Sequence, residues 1–463
     1  MPSPQINLSF PAHLKLDPVT LETGLFINNE FVESAEKMIG SVSEARAKDV
    51  DIAVKAASEA FNKVWGIKTP GSTRGKMLMH LADKIEAHMD TLAAIEAMDS
   101  GKTFAMAKAF DITEAAACLR YYGGWADKNM GQTIEVDESK MAFTIHEPIG
   151  VLGPALATGN TIVLKPAEQT PLTALYLCRF IREIFPAGVV NILPGFGVWA
   201  GQAMVEHPMI EKIAFTGSTS IGKQILAKSG NNNLKKVTLE LGGKSSNIVF
   251  DDARFEQVVK WASFGIFFNH GQCCCAGSRV FVQEGIYDKF VSALKENLQS
   301  LKVGDPFDVN TFQGPQVKSL RLRVEFGVKK KVQPVQLEVI DMDKKVILYN
   351  PHVKPSMKIH REEIFGPVVV VMKFVDEEDV IRQANDTIYG LASAIHSKDI
   401  TKALRVSRLI HAGTVWINCY NKIATQVAFG GVKESGLGRE CGSYALSNYT
   451  SIKSVFINLS QKL

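Results

Sequence analysis

The chain has 463 residues, 46% hydrophobic and 22% charged, so it holds ample apolar material for buried cores, and neither global disorder nor a bare recognition module fits. At roughly 150 residues per domain, its length predicts about three domain-sized units, or two with a small appendage. Lys and Arg number 52 against 48 Asp and Glu, and the resulting net charge of +4 is too small to argue for a nucleic-acid partner.

No apolar run approaches the roughly 18 residues of a membrane span, and the first ten residues lack the basic start and apolar core of a secretory signal. Gln461, Lys462 and Leu463 match a peroxisomal address only in part. Seven cysteines (Cys118, Cys178, Cys273, Cys274, Cys275, Cys419 and Cys441) form an odd set with three in a row, which fits a reducing compartment and points to a cytoplasmic location. The histidines are scattered without paired ligand spacing, so no metal is expected.

From 49 to 114 apolar residues recur at helical spacing in Leu78, Leu81, Ile85, Leu92, Ile95 and Met98. Short β-branched runs at 161–164, 189–193, 212–215 and 237–239 then alternate with helical stretches and predict a parallel sheet with crossover helices. A second alternating region has strand candidates at 247–250, 278–282, 368–372 and 414–418. The stretch 449–459 alternates apolar and polar residues as an edge strand does, and such strands pair readily with another subunit.

Four segments carry candidate chemistry. Buried cysteines are usually inert small hydrophobes, but three consecutive ones, Cys273 to Cys275, cannot all face one core. Glu240 stands at a predicted strand end ahead of Gly242 and Gly243, where a surface turn is the plain alternative. A thiol nucleophile at Cys274 and a general base at Glu240 could meet only through the fold. The turn from Phe215 through Gly217 and Ser218 into a helix offers free N–H groups to a phosphate, although many strand-to-helix turns look like it. The run from Ile162 to Leu164 delivers Lys165 and Glu168, otherwise read as a solvated strand end.

In this order the four segments closely resemble the NAD(P)-dependent aldehyde dehydrogenase superfamily. The likeness extends to 24–30, 362–367, 416–418 and 429–440, and so covers most of the chain. It implies an α/β fold with a Rossmann-type cofactor domain (1–131 and 148–240), an α/β catalytic domain (241–440) and a small β oligomerisation extension (132–147 and 441–463). Carried over by position, the nucleophile is Cys274 and the general base Glu240. Lys165 and Glu168 hold the adenosine ribose, Ser218 a phosphate, with Gly217 beneath the cofactor, while Glu363 and Phe365 position the nicotinamide end. A carboxylate at 168 hydrogen-bonds a 2′-hydroxyl and repels a 2′-phosphate, favouring NAD over NADP. The implied reaction is attack of Cys274 on an aldehyde, hydride transfer to NAD, and hydrolysis of the thioester by water activated at Glu240. A homodimer or homotetramer, with no nucleic-acid or membrane partner, is implied too.

The sequence departs from the family at three places. The segment carrying a Pro-Trp-Asn motif and most of a helix is missing between Leu152 and Gly153, and with it the Asn that stabilises the oxyanion. Removing one such donor typically costs ~100 to 1000-fold in rate. Only 153–160 then connect strands expected at 149–152 and 161–164, short of the dozen or so residues a parallel crossover needs, so a displaced strand or distorted cofactor domain is expected. A strand and turn are also missing between Ala35 and Met38, and residues 320–350, with Lys329 to Lys331, are unlike the family. Such sharp boundaries resemble skipped or mistranslated coding segments. The alternatives are therefore an impaired family member that at most binds nucleotide or partner subunits, and a cofactor-independent esterase using Cys274 and Glu240.

Overall fold

The computed structural model describes residues 4–34, 37–39, 42–148, 153–317, 338–342, 345–350 and 355–460. Helical periodicity in the first part becomes helices Ala47–Lys63, Gly71–Ala87, Met89–Ser100 and Thr113–Trp125. The first buries Val50, Ala53, Val54, Ala57 and Ala60 along one stripe. Met89–Ser100 stops at Gly101, whose φ of 74° closes the helix with a bond to the Ala97 carbonyl. These helices and Leu172–Ile184 enclose one core around Phe26, Trp65, Leu78, Tyr122 and Phe180.

The β-branched runs pair into separate sheets. One orders Glu30–Val32, Leu25–Ile27, Val190–Ile192 and Ile162–Leu164, the last two parallel. A second sets Lys212–Thr216 parallel to Lys236–Glu240, with Gly436–Leu437 antiparallel on the far side. The largest orders Glu338–Met342, Lys345–Asn350, Val368–Phe374, Arg279–Gln283, Ser246–Val249, Ala392–His396 and Thr414–Ile417, parallel from Lys345–Asn350 onward. Its central strands are buried and read as continuous apolar runs, as strands covered on both faces do. Thr450–Asn458 pairs with Lys140–Pro148, which pairs with Thr133–Asp137.

The N-terminal pair Gln5–Leu8 and Val19–Glu22 was not legible in the sequence, because four-residue strands give too short an alternation. Residues 153–160 do not run extended. Gly153–Thr158 forms a short buried helix, followed by Asn160, whose amide donates to Ala155 O, Thr158 Oγ1 and Tyr449 O. The strand expected at 149–152, the junction at 35–36, Lys329 to Lys331 and the tail 461–463 lie outside the described residues. No helix among the described residues is long and apolar enough to cross a membrane.

Candidate active site

The cysteine loop is held in an unusual backbone conformation. Asn269, His270 and Gly271 have φ of 50°, 61° and 69°, turning the chain sharply before Cys273; left-handed non-glycine residues cost of order 1–3 kcal/mol each and need support. Asn269 Nδ2 donates to Gln272 O at 2.8 Å, and His270 Nε2 accepts the Gly314 N–H at 2.9 Å. Burial pushes His270 down to about 4, so it stays neutral as this acceptor role requires. Behind the loop, Tyr420 donates to Cys275 O at 2.8 Å.

Cys273 and Cys274 are half-buried and Cys275 is buried. The Sγ atoms of Cys273 and Cys275 lie 3.5 Å apart, and Cys275 Sγ donates to Asn421 Oδ1 at 3.2 Å. Hydrogen bonds from its two neighbours lower the Cys273 thiol, and the same bonding raises Cys274 and Cys275, with burial adding to both. Asn421 itself has a φ of 52°, and its buried Nδ2 has no hydrogen-bond partner among the described residues.

Strand Lys236–Glu240 runs into the Gly242 and Gly243 turn, and the missing side chains have a definite use. A Cβ at Gly242 would overlap Glu363 Oε2, and one at Gly243 would overlap the Cys274 carbonyl oxygen. Gly243 N donates to Glu363 Oε1 at 3.0 Å. Gly271 makes a comparable approach to the Gly366 carbonyl, beside Phe365, which is left-handed at φ 61° and exposed. Three segments distant in sequence therefore meet at one turn.

Glu240 points elsewhere. Its carboxyl lies against Gly430, and burial first and the Glu440 carboxylate second push it up to about 8, with Arg439 opposing. The carboxylate whose charge bears on the Cys274 thiol is that of Glu363. Glu440 and Asn421 carry no local sequence signal of a role here: Glu440 is simply the last residue of the 429–440 stretch, and Asn421 lies in no motif.

Lys165 and Glu168 form their own cluster after Ile162–Leu164. Lys165 Nζ donates to Pro166 O at 2.8 Å and Gly195 O at 2.9 Å and pairs with Glu168 Oε2 at 3.3 Å. Burial works against the Glu168 charge, but its own backbone N–H and Lys165 prevail and hold it below the usual carboxylate range. Gly217 N bonds the Glu240 carbonyl at 3.0 Å, tying that turn to the base of the site. Ser218 precedes helix Thr219–Asn232 without capping it by its side chain, leaving the first-turn N–H groups open to an anion.

Residues 29–455 match the model of the aldehyde dehydrogenase family. The chain belongs to that family. It is 52% identical to an aldehyde dehydrogenase of Emericella nidulans over 95% of this chain and 96% of the relative, and 45% identical to the mitochondrial aldehyde dehydrogenase of Rattus norvegicus over 95% and 92%. Among solved structures, the NAD+ complex of an aldehyde dehydrogenase from Bacillus cereus superposes with a TM-score of 0.90 at 41% identity, covering 98% of this chain and 100% of that one. A Burkholderia cenocepacia structure described as a putative aldehyde dehydrogenase gives 0.90 at 38%. The α/β fold that the motifs implied is thus this family member's fold.

Proposed function

We propose that the chain oxidises an aldehyde to a carboxylic acid with NAD, using Cys274 as nucleophile and Glu240 as general base. The observation that carries this reading is the meeting of the Cys274 loop, the Glu240 strand end and Glu363 on the Gly242 and Gly243 turn. The cofactor residues fit a dinucleotide: an uncapped helix start for the pyrophosphate at Gly217 and Ser218, the charged Lys165 and Glu168 pair for ribose hydroxyls, and Glu363 with the exposed Phe365 at the cysteine loop. Bound there, NAD supplies the hydride acceptor.

The chain's own groups do the rest. Cys274 loses its proton to solvent and adds to the carbonyl carbon as the thiolate. Asn421, whose Oδ1 accepts from the adjacent Cys275 thiol, is the residue we assign as donor to the developing oxyanion. After the hydride has left, a thioester remains on Cys274, and Glu240 takes a proton from the water that hydrolyses it. Glu168 favours NAD, since its charge would repel a 2′-phosphate.

The domain division given above and homo-oligomerisation belong to the same reading. The sheet of Thr450–Asn458, Lys140–Pro148 and Thr133–Asp137 exposes Ile134, Ile452 and Phe456 on one face, an apolar surface that a second copy would cover. The seven cysteines are free, which agrees with a reducing compartment such as the cytoplasm. A second reading, an impaired enzyme, is favoured by the turn of Glu240 toward Gly430 and Glu440. Aldehyde-dependent NADH formation, compared with Cys274→Ala and Glu240→Gln, decides between them. Turnover lost in both variants supports the first reading, and none in the unaltered chain the second.

A further inference from the structure

Glu240 ends in a compartment closed by the last third of the chain. Gly436–Leu437 pairs with the end of Lys236–Glu240, setting Gly436 beside Glu240, and Phe429 and Glu440 exchange backbone hydrogen bonds of 2.7 and 2.8 Å. Next to Phe429, Gly430 accommodates the Glu240 carboxyl only because it lacks a side chain: a Cβ would stand 2.6 Å from Oε1. The Glu440 carboxylate is near enough to oppose a charge on Glu240, and burial raises both groups.

They are not equivalent. Glu440 Oε1 accepts the Tyr449 hydroxyl at 2.8 Å. Lys212, fully buried, places Nζ 5.1 Å from the centre of the Tyr449 ring and anchors it on Thr238 Oγ1 at 2.7 Å, and its charge favours ionised Glu440. Among the described residues Glu240 Oε2 is buried without any donor, and the Arg439 guanidinium alone favours its ionised form. Two like charges in a low-dielectric space do not ionise together, so the charge settles where the partners are.

The other groups facing the compartment do not compete. Burial raises Cys118 to about 12 and moves Cys441 and Tyr122 upward as well, so all three stay neutral. Tyr122 donates to Gly442 O at 3.2 Å, and Lys236 spends its ammonium on Thr450 O at 3.0 Å. Glu114, on the helix that carries Cys118, bears on the two thiols.

We propose that Tyr449, braced against Lys212, is a positioning residue that assigns the shared negative charge to Glu440 and so holds Glu240 as a neutral acid in the resting enzyme. This rests on the reading of Glu240 as the general base. Without the Tyr449 hydroxyl, Glu440 loses its donor and takes up a proton more readily; its repulsion of Glu240 falls, and Glu240 ionises at lower pH.

The test is the pH profile of ester hydrolysis by the full chain without cofactor, with an activated ester that acylates Cys274. In Tyr449→Phe the rising limb should move to lower pH by about one unit, a tenfold change in ionisation constant. Lys212→Met should move it the same way and serves if Tyr449→Phe does not fold. Glu440→Gln should move it too, and adding Tyr449→Phe to Glu440→Gln should shift it no further. A limb that stays in place in a folded Tyr449→Phe protein, even with a lower rate, or that moves upward, overturns the proposal. Glu240→Gln separates the two levels: wild-type hydrolysis in that variant removes the base reading itself, whereas lost hydrolysis with an unmoved Tyr449→Phe limb removes only the role of Tyr449.

Discussion

Gly243 is packed so closely on the carbonyl oxygen of Cys274 that no side chain fits between them. The glycine pair after Glu240 is thus a requirement of the cysteine loop's position, and the two cannot vary independently. Gly243→Ala forces the Cys274 loop or the turn to move, at a cost of about 1–3 kcal/mol for an overpacked site. We expect a lower melting temperature and at least a hundredfold loss of turnover, since small misplacements of reacting groups are expensive. Thermal melts and steady-state rates check this.

Cys274 has the placement on the glycine turn that a nucleophile needs, and its neighbour Cys273 raises its thiol. Cys274→Ala should abolish turnover, while Cys273→Ala should leave it within about tenfold and, by removing the neighbour that raises Cys274, shift Cys274 thiolate formation to lower pH. Rates of alkylation against pH report the second effect. Full activity in Cys274→Ala would move the nucleophile elsewhere.

Much of this architecture was legible in the sequence because its signals are local. Runs such as Val368 to Phe374 are apolar at every position but one, and the hydroxyl-rich turn at Gly217 and Ser218 precedes a helix. Pairings across the chain were not legible. Glu440 meets Glu240 across 200 residues, through the short strand Gly436–Leu437. Nor does composition announce that Asn269, His270 and Phe365 adopt left-handed backbone, since tertiary contacts impose that strain.

Asn421 combines a carbonyl oxygen engaged by Cys275 with an amide nitrogen unpartnered among the described residues. If that nitrogen serves the oxyanion, Asn421→Ala should lower kcat by about 100-fold with little change in KM, the pattern of an interaction made in the transition state. Parallel losses in affinity and stability would assign it to packing.

Glu168 bears its charge in spite of burial. Glu168→Gln keeps the hydrogen-bonding shape and removes the repulsion toward a 2′-phosphate. The preference for NAD over NADP, taken as the ratio of kcat/KM values, should fall by at least about tenfold, or 1.4 kcal/mol. An unchanged ratio would place cofactor selection on other residues.

Because Glu240 is raised to about 8, only about one molecule in ten carries the base form at pH 7, and that fraction grows as pH rises. Thioester hydrolysis should accelerate about tenfold per pH unit below 8 and level off above it. A single-turnover assay, in which acylated Cys274 is formed first and its decay followed against pH, isolates this step.

The most direct test of the whole account is NADH formation on mixing the purified chain with NAD and a panel of simple aldehydes, alongside Cys274→Ala. The account predicts aldehyde-dependent NADH from the unaltered chain and none from the variant. Absence of NADH from a folded unaltered chain, or equal formation by both proteins, would contradict it.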